Sequence, residues 1–140
     1  MAKDKKEMIP LIIASVVAVI LIVVLVLLGG RPNKQERENI YSSLNECLAK
    51  RGGGDAERRD CIIKMDNLLG RSMKYALVRG ETVGERLKNA KTLFNRDDYN
   101  GIWEAHKLRN RIVHEDVAMA SGEFDRAVKY FQLAIRRLLK

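Results

Sequence analysis

Six consecutive residues, Arg109-Asn110-Arg111-Ile112-Val113-His114, bring a guanidinium, a carboxamide and an imidazole close together in the chain. An imidazole can carry a proton near neutrality, a guanidinium holds its charge at every accessible pH, and a carboxamide can orient both through hydrogen bonds. Projected at about 100° per residue, the segment from Ile102 to Val117 sets Ile102, Ala105, Leu108, Ile112, Val113 and Val117 on one arc. Glu104, Lys107, Arg111 and Glu115 face away. Arg109 falls inside the apolar arc, and Asn110 and His114, four residues apart, share its edge. A charge within an apolar stripe is costly unless it is paired or kept near water. The plain explanation is an arginine whose stem covers the core while its head reaches solvent, beside a histidine with no task.

The elements that must position these residues read as helices. No proline occurs from Asn33 to Lys140, and apolar residues recur at helical spacing throughout. Ile40, Leu44, Cys47 and Leu48 form a first stripe, which Gly52-Gly53-Gly54 interrupts. Asp55 can cap a second helix carrying Ile62, Met65, Leu69, Met73 and Ala76, so the two make a hairpin, and Gly80 is placed to end it. Thr82 to Glu85 has capping-box spacing and opens a third helix with Val83, Leu87, Ala90 and Phe94 in register. Asn95 to Asn100 is polar and turn-like. A fourth helix is expected from about Gly101 to Val117, and Ser121 can cap a fifth bearing Phe124, Ala127, Val128, Phe131, Ile135 and Leu138.

Before these lies an apolar run, Leu11 to Leu28, interrupted only by Ser15. Its residues cover about 27 Å as a helix, close to a bilayer core of about 30 Å. A retained single-pass transmembrane helix over 9–30 is therefore expected, after a basic flank over 1–8 and before a helical domain over 31–140. Pro10 would sit in its first turn, and Gly29, Gly30 and Pro32 would stop it. Lys3, Lys5 and Lys6 face Arg31, Lys34 and Arg37 across that span, a near tie that leaves orientation open.

With 140 residues, the chain has room for one small domain and excludes a multidomain enzyme. A net charge of +8 favours phosphates or anionic headgroups as partners, although basic residues on helices are most often a solvated face. Neither glycine cluster is followed by the Lys-Ser/Thr of a phosphate-binding loop, so nucleotide-driven chemistry is not expected. Cys47 and Cys61 stand at matching levels of the expected hairpin, where a disulfide is geometrically allowed; two buried, reduced thiols are the simpler reading. The two cysteines and the eight-residue spacing of His106 and His114 give no zinc pattern, so no metal or cofactor is expected.

The segment Arg109 to His114 resembles the Arg-polar-x-x-x-His motif of the HEPN superfamily, with Glu115 following as in many members. The stretches Gly80 to Lys88, Asp98 to Asn100 and Trp103 to Leu108 are also similar to bacterial HEPN-like proteins. The resemblance covers roughly residues 35–140 and implies a four- to five-helix all-α bundle, paired so that two motifs line one cleft. In catalytic members RNA is cut without metal, by attack of the ribose 2′-hydroxyl on the adjacent phosphate. Carried onto this chain, His114 would be the general acid/base, Arg109 the group stabilising phosphoryl charge, and Asn110 the residue orienting them. Other members only dimerise or bind RNA, and some act with a separate protein partner. Three readings follow: a membrane-anchored, cytoplasmic, dimeric endoribonuclease; a non-catalytic module of the same fold at the membrane; and an extracytoplasmic domain closed by a Cys47–Cys61 disulfide.

Overall fold

A computed structural model describes residues 2–29, 33–115 and 118–140; within the first helix it describes the side chains of residues 9, 10 and 12–24. The chain divides into two units, Met1–Arg31 and Pro32–Lys140.

The first unit is one helix, α1 (Ala2–Gly29). It begins well before Pro10, so this proline lies inside the helix and not in its first turn, where it was expected. The described apolar side chains, such as Ile12, Val19 and Ile22, are exposed. The expected transmembrane helix over 9–30 is corrected: among the described residues no helix is long and apolar enough to cross a membrane. The side chains of residues 1–8, 11 and 25–32, on which the basic flank and the stop at Gly29, Gly30 and Pro32 depend, lie outside the described residues.

The second unit is the expected all-α bundle. It comprises α2 (Lys34–Ala49), α3 (Asp55–Tyr75), α4 (Val83–Asn89), a single 3-10 turn (Lys91–Leu93), α5 (Arg96–His114) and α6 (Glu123–Leu138). The long α3 is central and packs against α2, α4, α5 and α6. Its stripe of Ile62, Met65, Leu69 and Met73 is fully buried, meeting Ile40 and Leu44 from α2, Ile102 from α5, and Phe131 and Ile135 from α6. Burying each such side chain contributes about 1.5–3 kcal/mol, and this continuous stripe fixes which face of α3 turns inward.

The helix ends explain where the boundaries differ from those expected. α3 is preceded by Gly54, whose N–H donates to Glu57 Oε2 at 2.9 Å, so Asp55 is the first helical residue and not the cap. The same helix stops at Tyr75, before Gly80: Leu77 takes a left-handed φ of 59°, and Val78 N–H returns to the Met73 carbonyl at 2.9 Å. This is a Schellman closure with leucine where glycine is usual. α4 starts as expected, with Thr82 Oγ1 accepting from Glu85 N–H at 3.1 Å. The segment Asn95 to Asn100 is not a turn. Asn95 Oδ1 accepts from Asp98 N–H at 2.8 Å and opens α5 at Arg96, because an asparagine followed by two aspartates caps a helix as well as it makes a turn. α6 is capped by Gly122 and not by Ser121, with Glu123 Oε2 reaching back to Ala120 N–H at 2.8 Å.

Cys47 and Cys61 face each other across the α2/α3 hairpin as free, buried thiols.

Candidate functional site

The site is built where α3 and α5 cross. Asp66 belongs to the inward face of α3, four residues beyond Ile62, and its side chain is 1% exposed. A carboxylate there needs partners, and α5 supplies them. His106 Nδ1 lies 2.7 Å from Asp66 Oδ1, and Arg109 Nε lies 3.5 Å from Asp66 Oδ2. One helical turn links the rest: Asn110 Nδ2 is 3.4 Å from His106 Nε2, and Arg109 Nη1 donates to Asn110 Oδ1 at 3.1 Å. Asp66, His106, Asn110 and Arg109 thus close a ring of polar contacts.

Donor and acceptor chemistry fixes the directions around that ring. A neutral His106 with its proton on Nδ1 donates to Asp66 and leaves Nε2 to accept from the Asn110 amide, whose oxygen then accepts from Arg109.

Neighbouring elements hold the arrangement. Trp103 sets its ring edge-on to His106, with centroids 5.7 Å apart, and Tyr99 packs edge-on to Trp103 at 6.3 Å. Gly84, in the first turn of α4, approaches so closely that a Cβ there would stand 3.6 Å from His106 Nε2. At the far end of α5, Arg59 Nη2 donates to the Ile112 carbonyl at 3.5 Å, and Arg111 is bonded to Glu123 at the start of α6. The Ala120 N–H, and after it Arg111, hold the Glu123 carboxyl below its ordinary range against the opposing effect of burial.

The residues expected to act together are only partly joined. Arg109 and Asn110 meet as expected, but the guanidinium is directed to Asp66 and Asn110, and its side chain is 26% exposed. The Nε group is buried and 3.5 Å from Asp66 without a hydrogen bond of good geometry. Its position on the apolar arc has a simple cause: Asp66 lies beneath it. His114 is the last residue of α5, exposed, and takes no part in the ring. The expected end of this helix near Val117 falls outside the described residues.

Asp66 and His106 were not anticipated as site residues. The signal was present, since Asp66 interrupts the stripe Ile62, Met65, Leu69 and Met73 at helical spacing, and an aspartate in an apolar stripe demands a cation or donor opposite. His106 is four residues from Ile102 and Asn110 and three from Arg109, on the inner face of α5. Among the described residues no group of three or more His, Cys, Asp or Glu is placed to hold a metal ion. No family model, curated protein or solved structure matches the chain.

Proposed function

We propose that the helical unit Pro32–Lys140 is an RNA-binding module that works as a pair of identical copies, meeting through the C-terminal half of α5. The observation that carries this reading is the anchored guanidinium of Arg109: held on one side by Asp66 and Asn110 and partly open to solvent on the other, it is pre-positioned to accept a phosphate. The motif resemblance supports RNA as the source of that phosphate. The net charge of +8 adds long-range attraction for a polyanion.

A second reading, metal-independent cleavage of the bound RNA, is favoured by one specific observation. His114 presents an exposed imidazole four residues from Asn110 and five from Arg109, with no partner among the described residues. Such a group can take the 2′-hydroxyl proton or protonate the leaving oxygen, while Arg109 stabilises the charge that builds on phosphorus.

One set of measurements separates the two. Binding of a labelled single-stranded RNA to the full chain is expected to weaken on Arg109→Ala, with the slope of log affinity against log salt falling by about 1. An unchanged slope would remove Arg109 from the interface and overturn the proposal. Incubation in chelator, followed by analysis of RNA ends, tests cleavage: products ending in cyclic phosphate and lost about 10²–10⁴-fold on His114→Ala support the enzyme. Equal cleavage by wild type, Arg109→Ala and His114→Ala would trace it to a contaminant and leave the binding module.

A further inference from the structure

A groove of about 250 Å³ runs between α2 and α3. Ser43, Glu46, Lys50, Asp60 and Lys64 lie along it, and both cysteines form part of its wall. Cys61 Sγ donates to the Cys47 carbonyl oxygen at 3.6 Å, which brings the two cysteines together across the hairpin. An inert pair of core cysteines would be surrounded by apolar side chains on every side. This pair instead opens on a channel with charged walls, where Lys64 and Asp60 pair at 2.7 Å.

We propose that Cys47 and Cys61 form a peroxide-reactive dithiol, in which Cys47 is the attacking sulfur, Cys61 the resolving one, and the α2/α3 groove the entry path for a small hydroperoxide. Supporting asymmetry comes from the pair itself. The neighbouring Cys61 thiol holds the Cys47 thiol down at about 7, with burial opposing and Lys64 assisting, whereas the Cys61 thiol is pushed up by Cys47 and by burial. Cys47 is therefore the sulfur with thiolate character near neutral pH.

The chemistry balances with one hydroperoxide, ROOH. The Cys47 thiolate attacks the terminal oxygen; an S–O bond forms, the O–O bond breaks, and the departing alkoxide takes the proton given up by the thiol and leaves as ROH. Cys47, oxidised by two electrons, is now a sulfenic acid. The Cys61 sulfur attacks it, the S–S bond forms, the S–O bond breaks, and hydroxide leaves with the Cys61 proton as water. Two thiols and one hydroperoxide yield one disulfide, one alcohol and one water. The product staples α2 to α3, the central helix that carries Asp66, without touching the ring of Asp66, His106, Asn110 and Arg109.

The test uses the reduced full chain and hydrogen peroxide, read by intact mass and peptide mapping. The expected result is loss of two hydrogens, a Cys47–Cys61 crosslinked peptide within one chain, and complete reversal by dithiothreitol. Cys61→Ser should stop at a Cys47 sulfenic acid that dimedone traps, and alkylation of the native protein near pH 7 should reach Cys47 about tenfold or more before Cys61. Thiols that stay reduced in the folded chain but oxidise once it is unfolded in urea would overturn the proposal. So would over-oxidation of Cys47 beside an intact Cys61 thiol, or disulfides that join separate chains. The wild-type mass alone decides between these, so a poorly folding variant does not affect the outcome.

Discussion

Asp66 is the residue on which the others in the site depend. It is buried among Met65, Leu69 and Met73, and it is the acceptor for the His106 imidazole and the counter-charge for Arg109. Removing one partner from a buried set leaves the remaining charge without compensation. Asp66→Ala is therefore expected to cost about 3–5 kcal/mol in urea unfolding. His114→Ala, by contrast, removes an exposed side chain outside the ring and should stay within about 0.5 kcal/mol of wild type. This contrast separates the residue that holds the site from the one assigned to proton transfer, and comparable losses for both variants would show that His114 is structural. The sequence made Arg109, Asn110 and His114 conspicuous through their local spacing. It gave no direct view of Asp66 beside His106, because these two are 40 residues apart and meet only when α3 crosses α5.

At the scale of elements, the helix ends carry the sharpest expectations. Leu77 is 69% exposed and left-handed, so its side chain gains little from packing while its backbone sits where L-residues are strained. Leu77→Gly should stabilise the protein by about 0.5–1 kcal/mol, measured as a higher urea midpoint at unchanged m-value. A loss would mean that the leucine makes contacts worth more than the backbone strain. The start of α6 gives a pH signature. The Glu123 carboxyl is held below its ordinary value of 4.5 by the Ala120 N–H first, with burial opposing and Arg111 contributing less. A group whose folded pKa is depressed contributes stability that is fully present above the unfolded value and is lost as pH falls through the folded one. The fall in stability on acidification below about pH 4.5 should accordingly be shallower in Glu123→Gln than in wild type. Identical slopes would show that the α5–α6 junction does not depend on this carboxylate. Periodicity and capping residues made α2 to α6 legible in advance. The boundaries that differ, at Tyr75, Arg96 and Gly122, are set by the left-handed backbone of Leu77, by the Asn95 side-chain cap, and by a glycine start that Glu123 supports from within the helix.

For the whole molecule, two apolar features compete to drive association: the exposed side chains of α1, and Val113, which is 45% exposed between Arg109 and His114 on α5. The proposed pairing through α5 predicts a sedimentation mass of about twice 15.9 kDa. Val113→Glu, which places two like charges against each other across a twofold contact, should shift that mass to the monomer. Association that persists in Val113→Glu would move the contact away from α5, first to α1, and would take with it the shared cleft on which the cleavage reading depends.

By itself the sequence determined that the unit from Pro32 onward is a bundle of helices and most of the residues each helix turns inward, although Val113, placed on the apolar arc of α5 by its spacing, is 45% exposed. Helical spacing and end-capping are local properties, written within a few residues of each other, and they survive into the folded chain. Only the tertiary structure decided that the guanidinium of Arg109 is held by Asp66 and Asn110, that His106 and not His114 sits at its side, and that two thiols share a charged groove. Such pairings depend on which helices cross and at what level. That is settled when the stripes of α2, α5 and α6 are buried together against α3, and a single strand of sequence carries no record of the distance between residues that meet this way.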